Sequence, residues 1–545
     1  MYSSILRMVI WDDQRGSLPV DGGESEDVNG LQVNGIEIAA WGIVEAGVHS
    51  AYGVYGFPAT QLGEKLDTLF PRFTWNINEK VSLEMALGIS IGGYRSAVIV
   101  KQAGMGVLYD TLVNAVVHSI GGGLVIIATD DIGCKASTVE QDSRQLAKIA
   151  GVPVLDPNSA QEVRKLIPWA YQLSEQASVP VLIRLSSRLL MDKYEGEVKV
   201  CDTVLPLFPY TGGRVARGLS KIGRMHHYEQ YTLPVVKRII EGSSMEVRSG
   251  RDVGVGIIAT GGCSTLVTDE SLPLLQLSSL WPVDEKHVLS FMKKYKRILV
   301  LEEPHPFVEV ELYQLTQKYE LNLTIVGRLS GAFSAGDRLD ENRVNEVIEQ
   351  IQKGEDPEII RVSPSARGLK SPEQDQPLVR IYDAISAWTK ASGAKVAVDV
   401  GSSIALCYPP YNSAEWSYGL GSPIGVVAGL ASIDALAVAV IGDYAFLHSG
   451  MAPLMEAVVQ EKEMMVIIIH DYISRRTGRQ KNALSHQTEA GVPSLNLLSI
   501  LSACGVDHCS QLMVSATTTG KEIKEQLALA RRKRGVKVVV FTLAP

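Results

Sequence analysis

The chain has 545 residues, 46% of them hydrophobic and 21% charged, with a formal net charge of −8. That length exceeds one hydrophobic core and predicts three domains, while the composition excludes a disordered, collagenous or coiled-coil protein. The acidic balance argues against a nucleic-acid partner, which needs a basic face.

Residues 1–30 end in the polar run DGGESEDVNG and are expected to form a flexible N-terminal arm. Beyond it, GGLVIIATDD (122–131), GVPVLDP (151–157) and VPVLIRLSS (179–187) are continuous apolar runs of the kind buried on both faces of a parallel sheet. The amphipathic stretch AQEVRKLIPWAYQLSEQA lies between the last two. A second set of units follows: VGVGIIATGG as a strand, VDEKHVLSFMKKY as a helix, and KRILVLEEP as a strand. The Pro/Ser/charge cluster IRVSPSARGLKSPEQDQPL reads as a linker, after which AKVAVDVGSS, ALAVAVIGDY, EMMVIIIHDY and KVVVFTLAP are four more buried strands. The prediction is an α/β protein with three doubly wound domains at 31–195, 196–365 and 366–545.

The six cysteines contain no Cys-x-x-Cys pair, which gives neither a dense disulfide framework nor clustered thiolates for a metal or iron–sulfur site. The N-terminus turns acidic too early for a signal peptide, and no run reaches the roughly 18 apolar residues of a spanning helix. A cytoplasmic protein with no membrane association is expected. The glycine clusters near 104, 121 and 261 complete no phosphate-binding motif, and His226, His227, His305 and His508 have no partner at ligand spacing.

Ligands of open parallel sheets bind beyond the carboxyl ends of the strands. Two neighbouring strands of the last domain end in acids there, at Gly442-Asp443-Tyr444 and at His470-Asp471-Tyr472. Two such carboxylates suit Mg²⁺, which takes one or two of them together with phosphate oxygens and water. A helix starting beside Asp443 would offer N–H groups to the same phosphates. Taken alone, Gly-Asp at a strand end is also ordinary turn chemistry.

Gly442-Asp443, the following YAFLHSG, and Asp471 with Thr477-Gly478-Arg479-Gln480 resemble the thiamine-diphosphate motif. More narrowly, they are similar to the indolepyruvate:ferredoxin oxidoreductase α-subunit family. NGIEIAAWGIVEAGV, NEKVSLEMALGIS and EQDSRQLAKIAGVPVLDP look like that family's pyrimidine-binding domain, and LWPVDEKHVLSFMKKYKRILVLEEPHPFVE looks like its transketolase-C-like domain. The resemblance implies a pyrimidine-binding domain at 31–195, a transketolase-C-like domain at 196–365 and a thiamine-diphosphate-binding domain at 366–545. It implies thiamine diphosphate as cofactor, with Mg²⁺ on Asp443, Asp471 and the Ile473 carbonyl. Gly442, Tyr444, His448, Thr477 and Gly478 are implied as cofactor contacts, and Glu79 as the acid that hydrogen-bonds N1′ of the aminopyrimidine and promotes loss of the thiazolium C2 proton. It further implies a homodimer or larger assembly in which each site is shared between two subunits.

The chain departs from that family in three ways. It stops at FTLAP, about where a ferredoxin-like domain would begin, and 366–395 contains no cysteine motif. The substrate loop Y-P-G-T-P reads Tyr55-Gly56-Phe57-Pro58-Ala59, so Phe57 replaces a hydroxyl donor. Asp471 replaces an asparagine, and Arg475, Arg476, Arg479 and Lys481 follow it. These arginines either balance the added charge or, in a sharper reading, Arg475 and Arg476 clamp an anionic substrate group. From the departures, non-oxidative decarboxylation of a 2-oxo acid is the first expectation, with release of an aldehyde or carboligation to a second carbonyl. The alternative is a subunit of a 2-oxo acid oxidoreductase whose electron acceptor lies on a partner subunit. A third reading is a cofactor-binding subunit serving assembly or regulation.

Overall fold

The computed structural model describes residues 32–191, 193–195, 218–242, 245–251, 254–334, 336–360, 375–433, 436–485, 495–506 and 508–543. The expected N-terminal arm and most of the expected linker lie outside them. The chain divides into two compact units, Met1–Val362 and Ser363–Pro545. Among the described residues no helix is long and apolar enough to cross a membrane. Cys134, Cys263, Cys504 and Cys509 are free thiols, and Cys201 lies outside the described residues.

The first unit holds two main sheets. The larger has seven strands in the order Ser279–Trp281, Val154–Leu155, Val181–Ser186, Leu124–Asp130, Ser96–Lys101, Ser50–Gly53 and Phe73–Trp75. Its central strands are buried, apart from the half-buried Lys101 at the end of one, because their apolar residues are continuous and helices cover the sheet. The helix predicted from AQEVRKLIPWAYQLSEQA spans Ala160–Ala177, with the Ser159 side chain accepting from the Glu162 N–H at its start. The smaller sheet runs Thr324–Val326, Arg297–Leu301, Val255–Ala259, Leu274–Leu277 and Met245–Arg248, the last strand antiparallel. Strand Ser279–Trp281 follows this set in sequence yet pairs antiparallel with Val154–Leu155 on the edge of the larger sheet.

A buried ionic cluster ties the strand ends of the two sheets together. Arg144 pairs with Asp142 at 2.6 Å and Glu302 at 3.2 Å, and Arg184 pairs with Asp156 at 2.9 Å, every one of these side chains at most 1% exposed. Thr260 donates to Asp156 at 3.0 Å, and Glu302 also accepts the N–H groups of Phe307, Val308 and Glu309. Buried charges persist only where each is paired and hydrogen-bonded in this way. Asp130 sits at the edge of the cluster, its carboxyl pushed up to about 7 by burial, with Arg184 opposing and Asp142 adding to the shift.

The second unit is built on a five-stranded parallel sheet in the order Lys395–Val398, Ala437–Gly442, Met464–His470, Val536–Leu543 and His508–Val514, with a short antiparallel pair of Ile473–Ser474 and Gln480–Lys481 beside it in sequence. Helices Gln376–Ser392, Pro423–Ala431, Met451–Val459 and Gly520–Arg531 accompany it. Its register sets Val398 beside Val440 and Gly442 beside Ile469. The residues that follow, Asp399, Asp443 and His470-Asp471, therefore gather at the carboxyl edge of three adjacent strands.

Candidate active site

Gly442 ends its strand in extended conformation and caps a helical run that begins at Asp443. A Cβ at Gly442 would meet no atom within 4 Å, so the strand end opens onto clear space in front of the first helical N–H groups. Asp443 itself is buried. One of its carboxylate oxygens accepts from Nδ1 of His470 at 2.7 Å and from the Tyr472 N–H at 3.0 Å. The other accepts from the Asn482 side chain at 3.1 Å. Tyr472 donates from a left-handed conformation, φ 62°, a strained position for an aromatic residue that turns its N–H onto the acid.

Asp471, on the neighbouring strand end, has its carboxyl pushed up to about 6 by burial first and then by the Asp443 carboxylate, with the Arg475 guanidinium opposing. Two buried acids that repel one another favour a shared cation. Arg475 pairs with Asp471 through Nε and with Asp375 through Nη1, the latter at 2.7 Å. Its fork is thus largely occupied by carboxylates of its own chain, which differs from the expectation that Arg475 offers a free clamp to substrate. The Arg476 side chain lies outside the described residues, and Arg479 is exposed.

Ile473 lies in the short strand Ile473–Ser474, its N–H directed at Asp471 over 3.5 Å. Thr477 is fixed by Ser474 at 2.9 Å and by Gln480 at 2.7 Å, and Gly478 takes φ 125°, a conformation open to glycine. His448 is buried, its Nδ1 2.6 Å from Ser449 Oγ, and its ring faces that of Tyr444.

Two residues that sequence reasoning passed over complete this edge. Asn482 carries no sequence signal, because only the fold of the loop brings it to Asp443. Asp399 did carry one, since it ends the apolar run KVAV as Asp443 ends ALAVAVIG. Its carboxylate accepts the Gly401 and Gly421 N–H groups at 2.8 Å each, and burial pushes it up to about 6. It holds two glycine-bearing loops in place beside the open space.

In the first unit, Glu79 opens helix Glu79–Ile91 behind the Asn78 cap and is buried. Helix Gln102–His118 crosses it at Gly104, where a Cβ would lie 2.7 Å from Cγ and from Oε1 of Glu79. Gly104 therefore makes the room that the Glu79 carboxyl occupies. Phe57 is half-buried in a loop closed by mutual bonds between Gly56 and Thr60, at 2.9 and 2.8 Å. Among the described residues no three His, Cys, Asp or Glu side chains converge on a metal position.

Residues 408–541 match the thiamine pyrophosphate enzyme C-terminal TPP-binding domain. The chain is 25% identical over 504 residues to indolepyruvate oxidoreductase subunit IorA of Methanothermobacter marburgensis, covering 87% of this chain and 80% of that one. It is 25% identical to the subunit of the same name from Pyrococcus horikoshii, covering 91% and 83%. A solved structure of 2-oxoglutarate:ferredoxin oxidoreductase from Magnetococcus marinus gives a TM-score of 0.48 at 16% identity, over 59% of this chain and 65% of that one. The chain thus resembles indolepyruvate oxidoreductase α-subunits over most of its length, and its residues 408–541 match a thiamine pyrophosphate-binding domain.

Proposed function

We propose that the chain is the thiamine-diphosphate- and Mg²⁺-binding subunit of a 2-oxo acid oxidoreductase, with the electron acceptor held on a partner subunit. The observation that carries this reading is the similarity to oxidoreductase α-subunits over most of both chains. It supports the oxidative alternative over the non-oxidative decarboxylase or carboligase expected from the departures in sequence.

The residues present fit the cofactor. Asp443 and Asp471 would hold Mg²⁺ with the Ile473 carbonyl, leaving other positions for diphosphate oxygens and water. Open space at Gly442 and the adjoining helical N–H groups would receive the diphosphate. Gly442, Tyr444, His448, Thr477 and Gly478 would line that site. When bound, thiamine diphosphate supplies the electron sink that allows a 2-oxo acid to lose CO₂. Glu79 would hold the aminopyrimidine N1′ by a hydrogen bond, and Arg475 would offset the charge Asp471 adds. In this reading the acyl group would pass to water or a thiol and two electrons to the acceptor on the partner subunit. The shared-site dimer belongs to the same proposal.

The test is product analysis. Purified protein is incubated with thiamine diphosphate, Mg²⁺ and pyruvate, phenylpyruvate or indole-3-pyruvate, with and without methyl viologen and coenzyme A. The expected result is viologen reduction stoichiometric with CO₂, two electrons per molecule, with an acid or thioester as product. Aldehyde or acyloin released at the same rate without viologen would establish the non-oxidative reaction instead.

A further inference from the structure

We propose that Lys101 binds the carboxylate of the 2-oxo acid, taking over the task of the hydroxyl that Phe57 lacks. The proposal rests on the 2-oxo acid reading above. Lys101 ends strand Ser96–Lys101 and is the cap residue of helix Gln102–His118. On one side its stem lies against the substrate loop, where a Cβ at Gly56 would come within 3.1 Å of Lys101 Cβ and Cδ. On the other side, three positions along, Gly104 touches the Glu79 carboxyl. Lys101 is extended as the cap residue, so it stands one turn before the glycine that makes room for the Glu79 carboxyl. Its side chain thus adjoins the loop that would hold the substrate carboxylate, and its helix carries the glycine packed on the group that would act on the cofactor.

The ammonium is also under-used. Its hydrogen bond goes to the Ala136 carbonyl at 3.3 Å, and among the described residues it forms no ion pair. An ammonium has three donors. Asp131, the carboxylate that acts on it electrostatically, is committed to holding its own loop, accepting from the N–H groups of Lys135 and Ala136 at 3.2 and 2.8 Å and from Ser137 Oγ at 2.6 Å. Burial lowers the proton affinity of Lys101, with Asp131 and Cys134 pulling the other way. A half-buried cation without a carboxylate of its own, beside a loop that has lost its donor, fits a carboxylate brought by the substrate.

The experiment compares Lys101→Met, Lys101→Gln and Lys101→Arg with wild type as holoproteins. KM and kcat are measured for whichever of pyruvate, phenylpyruvate or indole-3-pyruvate the wild type consumes, by either the oxidative or the non-oxidative route. Cofactor affinity is read from tryptophan fluorescence, and C2-proton exchange of bound thiamine diphosphate by NMR after acid quench. Lys101→Met should raise KM by about 10- to 150-fold, the worth of a charge-assisted hydrogen bond, with kcat falling much less. Cofactor affinity and C2 exchange should stay within about 2-fold of wild type, since a charge-assisted contact to substrate is absent from both. Lys101→Gln keeps a donor for Ala136 but no charge, so it must show the same rise, and Lys101→Arg should recover most of it. Unchanged KM in Lys101→Gln, or a KM rise matched by loss of cofactor affinity, would overturn the proposal while leaving the 2-oxo acid reading intact. A wild type that consumes none of the acids by either route would overturn both.

Discussion

Gly104→Ala tests the proposed proton chemistry without touching Glu79. The added methyl would sit 2.7 Å from Glu79 Cγ and Oε1 and 3.0 Å from Cδ, against an ordinary carbon contact of about 3.5–4.0 Å. The carboxyl must retreat by about 1 Å, because Gly104 is buried within a helix whose backbone cannot yield as easily. Displacing a group that acts on a reacting centre by that much costs on the order of 100-fold in rate. Stability moves far less. Alanine in place of helical glycine contributes about 0.5–1 kcal/mol and overpacking costs about 1–3 kcal/mol, so the net loss stays below about 2.5 kcal/mol. Tm should shift by no more than about 5 °C. The assay is deuterium exchange at C2 of bound thiamine diphosphate, followed by acid quench and NMR. Gly106→Ala is the matched control, since a Cβ there meets nothing within 4 Å, and it should exchange at the wild-type rate. A folded, cofactor-loaded Gly104→Ala protein exchanging as fast as the control would refute the role given to Glu79.

Arg475→Met should destabilise the second unit by about 3 kcal/mol in thermal melts, because it leaves the buried Asp471 carboxylate facing Asp443 with no counter-charge. Adding Asp471→Asn should restore most of that loss; a double variant no better than the single one would mean the pair carries no such coupling. Asp130 binds protons more tightly in the fold than the usual carboxylate, so its contribution falls as pH rises from about 4 to 7. Asp130→Asn should gain stability relative to wild type across that window, by at most about 4 kcal/mol, and a pH-independent difference would show that Asp130 does not titrate there. Mixing Glu79→Ala with Asp443→Ala protein under subunit exchange should restore part of the activity if sites are shared, and no recovery despite demonstrated exchange would count against a shared site.

Five strands of the first unit and four of the second were legible as apolar runs bounded by glycine, proline and acids, because a strand buried on both faces has little freedom in composition, whereas Ser50–Gly53, Phe73–Trp75, Ser96–Lys101, Leu274–Leu277 and Thr324–Val326 were not singled out. Asp443 and Asp471 were legible for the same reason, since each follows directly on such a run. Met245–Arg248 and Ser279–Trp281 were not, being short antiparallel edge strands whose pairing depends on distant segments. Strand His508–Val514 was missed because its outer face is solvent-exposed and its residues are mixed. Of the site, Asn482, Lys101 and the Gly104–Glu79 contact depend on tertiary approach, which no local pattern encodes. Arg475 was legible as a charge but not as a partner, since its two carboxylates lie 4 and 100 positions away.

The buried ionic cluster of the first unit limits how this chain can be cut or recombined. A fragment ending near residue 191 would keep Arg144 and Arg184 but lose Glu302, Thr260 and the Glu303 carbonyl that accepts from Arg184. It would also lose strand Ser279–Trp281 and leave Val154–Leu155 as a bare sheet edge. Guanidinium groups set at most 1% exposed would then face either water, where their pockets collapse, or an apolar interior with no counter-ion. Chimeras that graft a foreign middle segment onto residues 32–191 should therefore aggregate unless the graft brings an acid at position 302, an acid at 303 to pair with Arg188 at 2.6 Å, and a hydroxyl at 260. The natural breakpoint for exchange with other proteins lies after the first unit, near residue 362, where no charge pair of this cluster is severed.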